Sequence, residues 1–329
     1  MANWDQLRLL IKSVEEGNNC QKWNEWIKKV RQENPNIHID LSKMDRKMME
    51  MPGADLSGVD LKEAVIDYTR IQGGYLVGAN LERAQIQSSN FTQANLSKSN
   101  FSNALLSSSK FQEAILDNAN FSNADLSNCD FSKTILTSAT LSGCNLERVT
   151  MIQCDLSGKS FTGCKLNQAI VKGSILKKAS FEGMKLEGIN FEKSEMVSCN
   201  FSKTYLSNIN FNMCTIKNAF FNSAKLKNVN FIGADLKQST FEGADLRDVN
   251  FIGADLTGVK IIGINLDYCL LFKGDGKSIE PLKQCGNPVK IEESVIDELS
   301  INSKRKTRLK VLLGYQEERG FFSKIFGKK

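Results

Sequence analysis

Apolar residues recur along this chain with a period of five, which neither an α-helix nor a simple β-strand produces. From position 56 to position 271 every fifth residue is apolar, without one insertion. The residue two before each of these centres is small or apolar, as at Ala54 and Ala234, and the residue between them is mostly polar. Two inward side chains separated by one outward side chain indicate a short extended segment. Gly and Asn recur in the remaining two positions, as tight turns require, so each pentapeptide predicts one side and one corner of a coil.

The distribution of phenylalanine predicts how many sides the coil has. Centres whose numbers end in 1 include fourteen Phe, whereas centres whose numbers end in 6 include none. Alternation of this kind needs an even number of sides. Two sides cannot enclose a core, and six would leave a hole, so four sides are expected. Residues twenty apart, such as Phe191, Phe211 and Phe231, then stack directly, and at about 4.8 Å per coil about eleven coils would form a rod roughly 50 Å long.

The repeat resembles a known family. Its form, A-(D/N)-L-x-x with Phe also allowed at the centre, is clear in FIGADLKQSTFEGADL, residues 231–246. It is similar to the motif of the pentapeptide-repeat proteins, and the resemblance covers residues 54–272. It implies an all-β solenoid, namely a right-handed quadrilateral β-helix. Some members also have helical N-terminal segments, which NWDQLRLL (residues 3–10) and WNEWIKKVRQENPNIHIDLS (residues 23–42) of this chain resemble.

Four segments are predicted. Residues 1–35 form a helical N-terminal cap, residues 36–53 an irregular lead-in or first coil, residues 54–272 the β-helix, and residues 273–329 a basic, mainly helical segment. Solenoids need capping elements because unprotected strand edges aggregate.

Two helices are expected within the N-terminal cap. Asn3 can cap the first helix, and the second ends before Pro35. The apolar stripes of these helices consist of Leu7, Leu10, Ile11 and Val14 in the first and Trp23, Trp26, Ile27 and Val30 in the second. The tryptophan pair is expected to pack on the first coil, with partner docking as the alternative.

Charge is concentrated at the C-terminal end. The net charge of the chain is +6, and residues 273–329 contribute +5 of it, whereas residues 54–272 are neutral. The basic cluster consists of Lys304, Arg305, Lys306 and Arg308, and the last ten residues place Phe321, Phe322 and Phe326 among lysines. This amphipathic tail is expected to fold back on the rod, to dock on an anionic membrane surface or a partner, or to be disordered.

No constellation for catalysis, metal binding or cofactor binding is found in the sequence. The only histidine is His38, which excludes a histidine-rich site. Seven of the nine cysteines stand two before a centre, where small buried residues belong. Cys144 and Cys164, twenty apart, are expected to stack as free thiols. No secretory signal is recognised and no apolar run reaches about 18 residues, so a cytoplasmic location is expected.

The repeat departs from its own rules between residues 141 and 175. Lys159 occupies a position for a small inward residue, and Ile152, Ile170 and Ile175 occupy outward positions. A buried ammonium without partners is costly. We therefore expect a bend or bulge at Gly158–Phe161 and a lateral partner surface beside it.

The functional hypothesis is a non-catalytic protein-interaction scaffold, either a monomer or an end-to-end dimer, with an unidentified protein partner. The alternatives are a DNA-mimicking modulator of DNA gyrase, which the family resemblance implies for some members, and an adaptor that docks on a membrane through the basic tail. The gyrase role is disfavoured because the rod is neutral and has no projecting loops. Direct nucleic-acid binding through the basic cluster is also disfavoured.

Overall fold

The structure is a computed structural model that describes residues 3–15, 20–261 and Lys310. The chain divides into two compact units, Met1–Ser174 and Ile175–Lys329. The first unit contains helices α1 (Trp4–Glu15) and α2 (Gln21–Glu33). The second contains four short strands, and these are β1 (Lys185–Glu187), β2 (Tyr205–Ser207), β3 (Lys225–Asn230) and β4 (Asp245–Asn250).

In the first unit, the chain winds in coils of twenty residues. Parallel bridges join residues twenty apart at nearly every fifth position, so a complete coil makes four bridges and has four sides. The earliest bridges are Asp40–Asp60, Asp45–Val65, Glu50–Arg70 and Asp55–Tyr75. The four-sided prediction is therefore confirmed in this unit. Residues 40–53, predicted as an irregular lead-in or first coil, pair with the next coil.

The second unit has the same twenty-residue register. Its strands form one parallel sheet in the order β1-β2-β3-β4. The buried centres Leu186, Leu206, Leu226 and Leu246 pair with one another across the four strands.

Stacked phenylalanine rings fill the core of each unit. In the second unit, the ring centroids of Phe191 and Phe211 are 5.2 Å apart and their planes differ by 4°. Phe201, on the facing side, meets Phe211 edge-on with centroids 5.4 Å apart. Both arrangements are favourable for aromatic rings. In the first unit Phe91 and Phe111 stack in the same way at 5.1 Å, so the predicted ladders are present in both units.

At the corners the chain makes a four-residue turn, and the third residue of the turn has the left-handed conformation. At the corner Met51–Ala54, the Ala54 N–H donates to the Met51 carbonyl (3.2 Å) and Gly53 has φ of +67°, as in type II turns. The sequence predicted Gly and Asn at such positions, but Lys133, Arg148 and Gln153 also have positive φ. This conformation costs about 1–2 kcal/mol for residues with a Cβ. The coil offsets part of that cost, because the third residue donates its N–H to the next coil.

Helix α1 is capped as predicted but buries a different stripe. The Asn3 side-chain oxygen accepts hydrogen bonds from the N–H groups of residues 5 and 6. Leu7 and Leu10 are buried, together with Ser13, whereas Ile11 and Val14, predicted on the apolar face, are only half-buried. Ser13 lies on the buried face because its hydroxyl accepts a hydrogen bond from the Trp23 N–H at the start of α2 (3.1 Å).

Helix α2 takes the place of a missing preceding coil. Backbone groups at residue 55 have no earlier coil to pair with, whereas Tyr75, one coil later, donates its N–H to the Ala54 carbonyl. The Trp23 indole N–H donates to the Asp55 carbonyl (2.7 Å), and the Asp55 N–H donates to the Asn24 side-chain oxygen (2.8 Å). Arg31 forms an ion pair with Asp55 and donates to the Ser57 carbonyl. The prediction that the tryptophan helix packs on the first coil is thus confirmed.

Candidate interaction surfaces

Ile152 and Ile170 lie together on one side of the first unit, and we call them the isoleucine patch. Ile170 stacks on Thr150, two residues before Ile152, so the two isoleucines are diagonal neighbours on adjacent coils. The Ile170 backbone is fixed on both sides, since its N–H donates to Val149 (2.9 Å) and its carbonyl accepts from Met151 (2.7 Å). Ile170 is 41% exposed and Ile152 is half-buried. The coil therefore holds two apolar side chains rigidly in outward positions.

Lys159 does not belong to this patch. It precedes Ser160, which lies ten residues, or half a coil, from Ile170. The Lys159 ammonium donates to the Ala139 carbonyl on the coil before. Burial lowers the pKa of this amine below its ordinary value. The Ala139 carbonyl thus stabilises the half-buried Lys159 ammonium, whose burial was expected from the sequence to be costly.

The predicted bulge at Gly158–Phe161 is wrong in its position. The turn there keeps the usual form, with the Lys159 N–H donating to the Leu156 carbonyl (3.2 Å) and a positive φ at Gly158. The irregularity lies one coil earlier, where residues 137–139 form a bend that the Ala139 N–H closes on the Leu136 carbonyl (3.1 Å), but Ser138 lacks the positive φ. The Ala119 carbonyl accepts the Thr140 N–H, but the Ala139 carbonyl accepts the lysine instead. The lysine side chain therefore takes the acceptor that a backbone N–H of the next coil would otherwise use.

We expect Lys159→Ala to raise the free energy of unfolding by about 1 kcal/mol, because the Ser160 N–H can then reach the Ala139 carbonyl. Chemical denaturation measures the change. Lys165→Ala, at an exposed outward position, is the matched control and should change stability by less than about 0.5 kcal/mol. A midpoint for Lys159→Ala below that of the wild type would show that the lysine contact stabilises the coil.

Ile175, the remaining residue of the predicted surface, belongs to the second unit. There it pairs with Glu195 and is 38% exposed. Within the first unit, Ile152 and Ile170 are therefore brought together, and Lys159 lies apart from them.

A second apolar site, which was not predicted from the sequence, lies on the first unit. Ile115 and Ile135 are twenty residues apart on the same side of consecutive coils, and they are 49% and 60% exposed. The bridge between these two residues is lacking in the described structure, and the Asn118 N–H donates to the Ser138 hydroxyl instead of a backbone carbonyl. The signal in the sequence was an isoleucine at two successive outward positions of one side.

The described residues carry no grouping suited to metal binding. In residues 3–15 and 20–261, no three His, Cys, Asp or Glu side chains gather as metal ligands. His38 stands at the surface, 3.9 Å from Asp60. Cys144 and Cys164 are free thiols that donate to the Phe121 and Leu141 carbonyls.

Cys144 is a poor nucleophile, because burial raises its pKa to about 12 and the thiolate is the reactive form. Neither described helix is long and apolar enough to cross a membrane.

Two predicted sites near the C-terminal end lie outside the described residues. They are the basic cluster at Lys304, Arg305, Lys306 and Arg308 and the tail residues Phe321, Phe322 and Phe326.

Coils of twenty residues, with four bridges each and stacked apolar centres, define a repeat protein of the β-solenoid class. The sequence profile of the pentapeptide repeat region matches residues 49–121, 114–191 and 194–271, and a profile of eight pentapeptide repeats matches residues 174–212. The chain belongs to the pentapeptide-repeat family.

Solved structures with similarity include other members of this family. HetL, involved in heterocyst differentiation regulation in Nostoc sp. strain PCC 7120, is 22% identical over 72% of this chain and 94% of its own, with a TM-score of 0.30. QnrB1, a plasmid-mediated fluoroquinolone resistance protein, is 17% identical over 67% of this chain and 92% of its own, with a TM-score of 0.29. A protein of the Arabidopsis thaliana thylakoid lumen is 30% identical over 30% of this chain and 65% of its own, with a TM-score of 0.20.

No curated protein sequence matches the chain. Because the TM-scores are low, the family assignment stands on the repeat sequence itself.

Proposed function

We propose that this protein is a non-catalytic scaffold that binds a protein partner through the outward side chains of its coils. The proposal rests on the isoleucine patch, where two outward positions of the coil carry apolar side chains. Inward positions are occupied by the core, so outward positions are free to vary without loss of the fold. Apolar side chains held in one geometry on a solvent-facing side are suited to binding another protein surface.

The polar surface supports a protein partner over a nucleic acid or a DNA-like role. Outward charges of opposite sign alternate between neighbouring coils and form ion pairs, such as Lys62–Glu82 (3.0 Å) and Lys133–Glu113 (2.9 Å) in the first unit. A DNA mimic would need an acidic face, and a nucleic-acid binder a basic one. The paired charges favour neither, so modulation of DNA gyrase is the weaker proposal.

The scaffold proposal is tested by capture with the full-length chain as bait. Three double variants are compared with the wild type: Ile152→Glu with Ile170→Glu, Ile115→Glu with Ile135→Glu, and the control Ser160→Glu with Thr162→Glu. The control adds the same charge at exposed polar positions half a coil from the patch. Circular dichroism establishes that each variant is folded.

We expect the control to capture the same partner as the wild type and the patch variant to lose about tenfold or more of the binding. A bait without residues 290–329 separates capture by the coil from capture by the basic tail. Equal capture by all three double variants, or capture that depends only on the tail, would contradict the proposal.

A further inference from the structure

A depression with a volume of about 430 Å³ lies on the first unit, away from the isoleucine patch. The inward Ser89 forms part of its wall, and the other lining residues are Tyr68, Arg70, Gln72, Ser88, Asn90 and Lys110. The lining contains two cations and several neutral hydrogen-bonding groups but no carboxylate. A cavity of this size is suited to a small molecule, since ligand sites commonly measure about 300–1,000 Å³.

Arg70, Asn90 and Lys110 form a column on one side of three consecutive coils. Bridges join Arg70 to Asn90 and Asn90 to Lys110, so the two cations stand about 4.8 Å above and below the asparagine at strand spacing. Both have side chains long enough to reach a common ligand at the level of Asn90. Because Asn90 is neutral, the position between Arg70 and Lys110 carries no charge of its own.

The hydrogen bonds of the column leave donors for a ligand. The Asn90 side-chain oxygen accepts the Thr92 N–H (2.9 Å), which leaves its NH₂ group as a donor. In the described structure, no carboxylate lies within ion-pair distance of Lys110. Arg70 pairs with Glu50 at 3.2 Å, but both side chains are well exposed, and such surface pairs contribute little. A bound anion can therefore compete for Arg70 at small cost.

Acidic residues continue the column at both ends, and their distance decides the sign of the local field. Glu50 precedes Arg70, and Asp130 follows Lys110. The backbones of Glu50 and Asp130 lie about two strand spacings from Asn90, roughly 9.6 Å, against about 4.8 Å for the backbones of Arg70 and Lys110. This larger distance exceeds the Debye length of about 8 Å at physiological salt. The Asp130 carboxylate also accepts hydrogen bonds from Gln112 and Ser132, so Arg70 and Lys110 are the charged residues of the column on the coils next to Asn90.

The rims of the depression add contacts for the rest of a ligand. Tyr68 and Ser88 stand at successive corners, both in the left-handed conformation with φ of 58° and 54°. The Tyr68 ring is 55% exposed, which provides an apolar wall beside the cations. We propose that this depression binds a small phosphate ester, with the phosphate between Arg70 and Lys110 and the organic part against Tyr68. Arginine and lysine with amide donors are the groups that recognise phosphate in proteins.

Calorimetric titration of the full-length protein with inorganic phosphate and with phenyl phosphate tests this site. We expect Arg70→Gln and Lys110→Gln each to weaken the binding of both probes about tenfold. Tyr68→Asn, which preserves a residue tolerant of positive φ, should weaken phenyl phosphate and leave inorganic phosphate unchanged.

Lys133→Gln is the control, because it removes the same charge from an exposed lysine that pairs with Glu113. It should leave the affinity for both probes within about twofold. Absence of binding by the wild type at millimolar concentration would overturn the proposal. So would equal weakening by Lys133→Gln, which would indicate a general charge effect rather than a site.

Discussion

Phe211→Ala is expected to lower the free energy of unfolding by about 3–5 kcal/mol, the range for removing a fully buried phenylalanine. Phe211 has no exposed surface and stands between Phe191 and Phe231, with ring centroids 5.2 and 5.0 Å away. Alanine would leave a cavity that the neighbouring rings cannot fill, because bridges on each side fix the spacing of their coils. Equilibrium denaturation with guanidinium measures the loss.

The matched control for this substitution is Phe220→Ala. Phe220 stands at an outward position and is 44% exposed, so its removal should change stability by about 0.5 kcal/mol or less. If Phe211→Ala and Phe220→Ala had the same small effect, the stacked rings would not be the source of stability in the second unit.

Trp23→Ala is expected to have an effect of similar size, about 3–5 kcal/mol, on the first unit. The ring is fully buried, and its N–H donates to the Asp55 carbonyl at the start of the coil. Loss of the ring also uncovers the coil edge at residue 55, and exposed edges of parallel strands promote association. We therefore expect both a lower denaturation midpoint and concentration-dependent self-association in size-exclusion chromatography.

Two further variants separate the contributions of Trp23. Trp4→Ala removes an indole that is 69% exposed and should leave stability nearly unchanged. Trp23→Phe retains most of the apolar contact but lacks the N–H donor, so its cost should be about 1–3 kcal/mol, the penalty for an unsatisfied buried carbonyl. A Trp23→Ala protein as stable and as monomeric as Trp4→Ala would contradict the capping role of α2.

The coil could be predicted well from the sequence because the same pattern of inward and outward positions is repeated many times. Each centre from Phe91 to Phe251 gives the same inward position, and the twenty-residue bridges follow from four such positions. Corners were predicted less well: the coil imposes positive φ on residues such as Lys133 and Arg148, whose own preferences are against it. Right-handed winding, the number of coils and the structure of residues 273–329 stay predictions.

The candidate sites were harder to predict because they depend on neighbours that are distant in sequence. Ile152 and Ile170 form one patch, but Lys159, close in sequence, is half a coil away. The Lys159 ammonium contacts the carbonyl of Ala139, twenty residues earlier. The column from Arg70 to Lys110 spans forty residues, and a single pentapeptide gives no sign of it. Sites of this kind are formed by outward residues that stand twenty positions apart in the sequence.

The most direct test of the scaffold proposal is photo-crosslinking from a defined outward position in living cells. A benzoylphenylalanine is placed at position 170 in the full-length protein, and at position 160 as the control on another side of the coil. We predict one specific protein adduct from position 170, lost when Ile152→Glu is added, and no such adduct from position 160. No adduct from position 170, or the same adducts from both positions, would contradict binding of a protein partner through the isoleucine patch.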